Sequence, residues 1–139
     1  MVTRRASEIP AFIVMDVLEK AQEMQRNGED IIHLEVGEPD FDTPDCINEA
    51  CFRAIREGKT HYTNSLGLIE LREAISEHYH AKYGVGVSPD QVIVTSGTSP
   101  AMFLLFSALI ERGDEVIISD PHYACYPNFV SFLEGMISF

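Results

Sequence analysis

Apolar positions change rhythm part-way along the chain. Up to Gly84 they recur three and four residues apart, the spacing of one helix face. Ile13, Val17, Ala21 and Met24 follow Ser7 and Pro10, and Gly28 offers a stop, which predicts a first long helix. A short apolar stretch from Ile31 to Val36 runs into Gly37-Glu38-Pro39-Asp40, which is turn chemistry. Thr43-Pro44 then reads as a cap with proline at the first helical position, ahead of the stripe Ile47, Ala50, Cys51, Ala54 and Ile55. Gly58 closes that stripe, and Lys59 to Gly67 reads as a loop. Leu68, Leu71, Ile75 and Tyr79 mark the next helix, ending near Gly84.

Beyond Gly84 the pattern becomes α/β. Gln91-Val92-Ile93-Val94-Thr95 predicts a short strand, Ser96-Gly97-Thr98 a tight turn, and Met102, Leu105, Phe106 and Leu109 a helix that ends at Gly113. Glu115-Val116-Ile117-Ile118-Ser119 predicts a second strand, broken by Asp120-Pro121. Pro127 suits the first turn of a last helix bearing Phe129, Val130 and Leu133. Gly135 to Phe139 begins like a further strand. Strands this apolar are covered on both faces, so a helix-flanked, mostly parallel sheet is expected. The strands are too few for a sheet of ordinary size, and its remainder is expected beyond residue 139.

Composition narrows the functional classes. Of 139 residues, 45% are hydrophobic and 23% charged, as in a globular domain of ordinary kind. The net charge of −12, from 22 acids against 10 bases, repels phosphate backbones and anionic lipid, so neither nucleic acid nor membrane is expected as a partner. Three cysteines, Cys46, Cys51 and Cys125, cannot all pair and form no C-x-x-C, which fits reduced thiols in a cytoplasmic protein. His78 and His80 lie two apart on a helix, while His61 and His122 sit in loops without a neighbouring ligand set. No metal site is expected.

One local arrangement suits an anion. A strand that feeds Ser96-Gly97-Thr98 into a helix aims backbone amides and two hydroxyls at the positive end of a helix dipole. Gly97 lets an anion approach the backbone. The pattern lacks the Gly-Lys-Ser/Thr of a P-loop and the G-x-G-x-x-G of a dinucleotide site, so it speaks for a single phosphate. Helix capping by Ser96 or Thr98 is the plain alternative. Tyr123 and Tyr126 follow the second strand, at the edge where ligands of open α/β sheets collect; stacking on a heterocycle competes there with ordinary packing. Gly37 lies in a turn whose amides would suit a small carboxylate, and a bare turn is the simpler reading.

Taken in order, these segments resemble a family. Leu34-Glu35-Val36-Gly37-Glu38-Pro39-Asp40-Phe41-Asp42-Thr43-Pro44 resembles the N-terminal signature of class I aminotransferases. Tyr62-Thr63, Gly67 and Leu71-Arg72-Glu73-Ala74-Ile75 resemble their next block, and Val92 to Thr98 with Ala101 is similar to the cofactor-phosphate loop. Gly113-Asp114-Glu115-Val116-Ile117, Asp120-Pro121 and Tyr123 to Pro127 continue the order, so the resemblance runs from about residue 10 to the end. It implies a pyridoxal 5'-phosphate (PLP) enzyme of fold type I, near the aspartate aminotransferase branch. Residues 1–44 would form an arm and small-domain segment, and residues 45–139 the start of the PLP-binding large domain.

The same resemblance implies roles for particular residues. Ser96, Gly97 and Thr98 would hold the PLP phosphate, and Tyr123, where many relatives carry tryptophan or phenylalanine, would stack on the pyridine ring. Gly37 would meet the substrate α-carboxylate. Tyr62 would reach the phosphate of the neighbouring subunit in a homodimer. The reaction would move an amino group from an amino acid to a 2-oxo acid. The lysine that bonds the cofactor is not among Lys20, Lys59 and Lys82, so no catalytic residue is assigned and this segment alone is expected to be inactive. Carbon–sulfur lyases share the N-terminal pattern and remain an alternative. So, from another class, does the PLP-binding domain of a transcription regulator, although no basic helix-turn-helix precedes the pattern here.

Overall fold

The computed structural model describes residues 2–139, in the order α1 (Arg4–Glu8), α2 (Ile13–Arg26), α3 (Asp45–Arg56), α4 (Ile69–Tyr83), α5 (Thr98–Leu109), β1 (Glu115–Ile117), α6 (Tyr126–Phe132) and β2 (Met136–Ser138). Its contacts fall into two compact units, Phe41–Pro100 and the segments on either side of it, up to Asp40 and from Ala101.

In the unit of residues 41–100, α3 begins one residue later than the expected Thr43 cap. Pro44 is the N-cap, with ψ at 138°, and its carbonyl accepts from Ile47 at 2.9 Å. Extended backbone at Pro44 delays the first helical turn, and Thr43 contributes only its carbonyl, which accepts from Asn48 Nδ2 at 3.0 Å. α4 ends where expected, on Gly84 in the left-handed conformation at φ 67°. Its buried residue is not one of the apolar stripe. Leu68, Leu71 and Tyr79 are exposed, whereas Arg72 is 6% exposed. The Arg72 Nη1 donates to the Pro89 carbonyl at 3.0 Å and lies 3.5 Å from Asp90 Oδ1, while Nε has no partner. Ser76 Oγ donates to the Val87 carbonyl a little further along the same helix face. A short 3₁₀ turn, Pro89–Gln91, is closed by a capping box from Ser88.

The strand expected at 91–95 does not form. Val92 is extended, at φ −108° and ψ 125°, but the one backbone bond that joins the segment to a distant one among the described residues is Val94 N–H to the Leu66 carbonyl, 2.9 Å. A strand is defined by its ladder, and no second strand lies beside this one among the described residues.

The other unit carries the sheet. β1 and β2 run parallel, with Val116 opposite Ile137, and α6 forms the crossover between them. The final apolar run, expected to begin like a strand, finds its partner in β1. Val130 of α6, fully buried, is the centre of this core, and Ile118 is 8% exposed. Phe103 and Phe106 of α5 meet Phe132 and Phe129 of α6 edge-on, with ring centroids 5.5 and 6.2 Å apart. The architecture is therefore α/β, a helix-flanked parallel pair with the sheet incomplete. Elsewhere apolar faces lie open: Ile47, Phe52 and Ile55 of α3 are all more than half exposed, and α3 buries no residue.

Candidate functional site

The turn at Ser96-Gly97-Thr98 opens directly into α5. Gly97 takes φ +94°, a conformation open to glycine and costly to other residues, and a Cβ built there would meet nothing within 4 Å. The turn is pinned from within. Thr95 Oγ1 donates to the Gly97 carbonyl at 2.7 Å, and Gly97 N–H donates to the Thr95 carbonyl at 2.9 Å. Gly97 therefore offers space and not a free amide. The amides of Ser96, Thr98 and Ser99 have no backbone acceptor among the described residues. The Ser96 and Thr98 hydroxyls are likewise unengaged among them, so neither caps the helix by a side-chain bond. All three residues of the turn are exposed, and the first turn of α5 carries no acidic residue to neutralise its dipole. Unpaired donors around an open glycine, at the positive end of a twelve-residue helix, are an arrangement that suits an anion.

Tyr62 belongs to the same unit. It stands wholly exposed in the loop of residues 59–67, whose Leu66 carbonyl holds Val94 two residues before Ser96. Gly37 and Tyr123 belong to the other unit. Gly37 is exposed in its turn, with nothing within 4 Å of a built Cβ. Beside it, Glu35 accepts from or pairs with His33 Nδ1 at 2.5 Å, and that contact holds the Glu35 carboxyl below its ordinary value. Tyr123 is 54% exposed, with Tyr126 and Phe12 edge-on at 5.4 and 6.3 Å, so one part of its ring is braced and the rest is open. Interaction with Cys125, hydrogen bonding first and charge second, raises the Tyr123 phenol above its ordinary value.

Sequence reasoning missed Arg72 and Gly67 as parts of this region. Arg72 stands one residue off the apolar stripe and has no pattern to mark it as buried. Gly67 reads in the sequence as the end of a loop and, with Arg72, as part of the family's second block, but with no role at the turn.

The family model described as Aminotransferase class I and II matches residues 29–137. The chain belongs to this family. Its likeness to known aminotransferases spans almost all of its own length. It is 47% identical over 133 residues to the (5-formylfuran-3-yl)methyl phosphate transaminase of Methanocaldococcus jannaschii, covering 96% of this chain and 36% of that protein. It is 42% identical to the aspartate/prephenate aminotransferase of Thermus thermophilus, over 97% of this chain and 35% of that one. The solved aspartate aminotransferase of Thermus thermophilus with maleate superposes with a TM-score of 0.95 at 40% identity, covering 99% of this chain and 36% of that structure. The chain thus spans about a third of the length of these relatives and shares their fold over that span. No helix among the described residues is long and apolar enough to cross a membrane.

Proposed function

We propose that this chain is the N-terminal third of a PLP-dependent aminotransferase that moves an amino group from an amino acid to a 2-oxo acid. The observation that carries the reading is the open Ser96-Gly97-Thr98 turn, with its unengaged donors, inside a family match of residues 29–137. Relatives named as transaminases favour transfer over elimination. When bound, PLP supplies the electron sink for chemistry at the amino acid's α-carbon. The residues of this chain bind and orient. Ser96 and Thr98 donate to the phosphate, and Gly97 keeps the approach free of side-chain atoms. Tyr123 offers a neutral aromatic face to the pyridine ring, and the Gly37 turn offers its backbone to the substrate carboxylate. Tyr62 reaches the phosphate of a second copy in a homodimer, which explains why so large a side chain lies wholly in solvent here. In the complete protein we retain a division near residue 45, with an arm and small-domain segment before it and the large domain after it. A cytoplasmic location is part of the same reading.

Gly97→Val in the full-length protein tests it. A branched side chain fills the open space, and the lost charge-assisted bonds are worth about 1.5–3 kcal/mol each. Two of them imply a rise in PLP dissociation constant of about a hundredfold or more. The measurement is the cofactor's visible absorbance before and after dialysis. Absorbance retained by the variant would overturn the phosphate assignment. Release of ammonia and a 2-oxo acid from a cysteine-like substrate, without transfer of its amino group, would replace transamination by elimination.

A further inference from the structure

We infer that Gly67 is a positioning residue for the phosphate turn, setting where Ser96 to Thr98 stand by allowing the loop of residues 59–67 to lie directly on Val94. The inference rests on the reading of that turn as a PLP-phosphate receptor. Gly67 takes φ +97°, and a Cβ built on it would fall 2.7 Å from Val94 Cβ and 2.8 Å from Val94 Cγ2. Real carbon atoms do not approach so closely, so any side chain at 67 drives the loop and Val94 apart. What holds them together is the Val94 N–H bond to the Leu66 carbonyl, 2.9 Å, the one backbone bond from this segment to a distant one among the described residues. Upstream, the segment is fixed by Arg72 on the Pro89 carbonyl. Between that anchor and the internal bonds of the Thr95–Gly97 turn, the contact at Gly67 is the remaining fixed point. A shift of Val94 therefore carries into Ser96, two residues on, where hydrogen-bond geometry to an anion decides affinity. The same contact holds the loop that bears Tyr62, so loop and turn keep one register.

Gly84 supplies the control. It has the same kind of backbone, at φ +67°, and lies in the same unit, but a Cβ there meets nothing within 4 Å. Gly67→Ala and Gly84→Ala both place a side chain at positive φ, and only the first adds a clash. The experiment measures dissociation constants of PLP and of pyridoxal, which lacks the phosphate, for the full-length apoprotein by absorbance titration. The ratio of the two constants reads the phosphate cradle apart from general loss of structure. Gly67→Ala is expected to lower the PLP preference about tenfold, with Gly84→Ala leaving it unchanged. The phosphorus NMR signal of bound PLP should move in the first variant only. If Gly67→Ala does not fold, Val94→Pro, which deletes the amide donor without adding an atom at 67, is expected to lower the same ratio. A preference retained in Gly67→Ala, or in Val94→Pro where that is the variant that folds, overturns the inference, provided that Ser96→Ala lowers it. A preference that Ser96→Ala also leaves intact overturns the phosphate reading itself, and the positioning role with it.

Discussion

Two apolar, β-branched runs meet different fates. Val116-Ile117-Ile118 and Val92-Ile93-Val94-Thr95 have the same local preference for extended backbone. The first becomes β1, because Met136–Ser138 returns beside it after a helical crossover of ordinary length. Ile118 is then buried at 8% exposure. The second stays extended but unladdered, with Ile93 61% exposed and a single bond to Leu66. β propensity describes a surface that fits a sheet, and a sheet is a property of two segments. Both runs nevertheless deliver a loop with candidate chemistry, Tyr123 after one and Ser96-Gly97-Thr98 after the other. The paired run holds its loop by a ladder and a core; the unpaired run relies on Arg72, Gly67 and the hydrogen bonds inside its own turn.

The sharpest way to separate the two is to remove the core of one. Val130 is fully buried where α6 covers the parallel pair. Val130→Ala deletes two buried methyl groups and leaves a cavity beside Gly135, where a built Cβ would fall 3.0 Å from Val130 Cγ1. The expected loss is about 2–3 kcal/mol, from transfer and cavity terms together. Amide hydrogen exchange in the full-length protein should speed up at Met136 and Ile118, whose N–H groups bond to Asp114 and Ser138. The Val94 amide should keep its rate. Equal acceleration at Val94 would mean that the two runs share one cooperative unit.

The complementary attack is Arg72→Met, which keeps the length of the side chain but leaves the Pro89 carbonyl without its donor. A hydrogen bond to a charged group is worth about 1.5–3 kcal/mol, and the orphaned Arg72 Nε already discounts the native value, so a loss of about 1.5 kcal/mol is expected. Exchange at Val94 should rise while that at Met136 does not. This arginine marks the limit of what the sequence discloses. The short α1 bears no apolar stripe and α5 stops at Leu109, short of Gly113, but the helices α2 to α6, the change to α/β and the extended run at the end were legible, because each depends on spacing within one segment. The same holds for Ser96-Gly97-Thr98, whose turn and helix start are written in consecutive residues. The ladder for Val92–Thr95, the burial of Arg72 in place of Leu71, and the close approach of Gly67 to Val94 were not. Each depends on which distant segment arrives opposite, and no periodicity records that. The apolar stripe of α3 was legible too, yet what would cover it is absent from the contacts this chain makes with itself.

The smallest effect expected has the opposite sign. Glu134 takes φ +62° on the way from α6 into β2, the one non-glycine residue with positive φ among the described residues. Its carbonyl accepts from Gly113 N–H at 2.9 Å, so the conformation is needed to close the approach to the parallel pair. An L-residue there costs roughly 1–2 kcal/mol. Glu134→Gly removes that strain but gives the unfolded chain more freedom, at about 0.5–1 kcal/mol. It also deletes the ion pair with Arg112, 3.7 Å apart, which is solvent-exposed on the arginine side and worth well under about 1 kcal/mol. Relief exceeds the two losses by a narrow margin, and a gain near 0.5 kcal/mol follows. Thermal unfolding should shift upward slightly, with exchange slowed at Met136 and unchanged at Val94. A stability loss of about 1 kcal/mol instead would show that the Arg112 pair, and not backbone geometry, sets how tightly β2 is held. The paired run would then depend on side chains as much as the unpaired one does, and the contrast between ladder and clamp would shrink to a difference of degree.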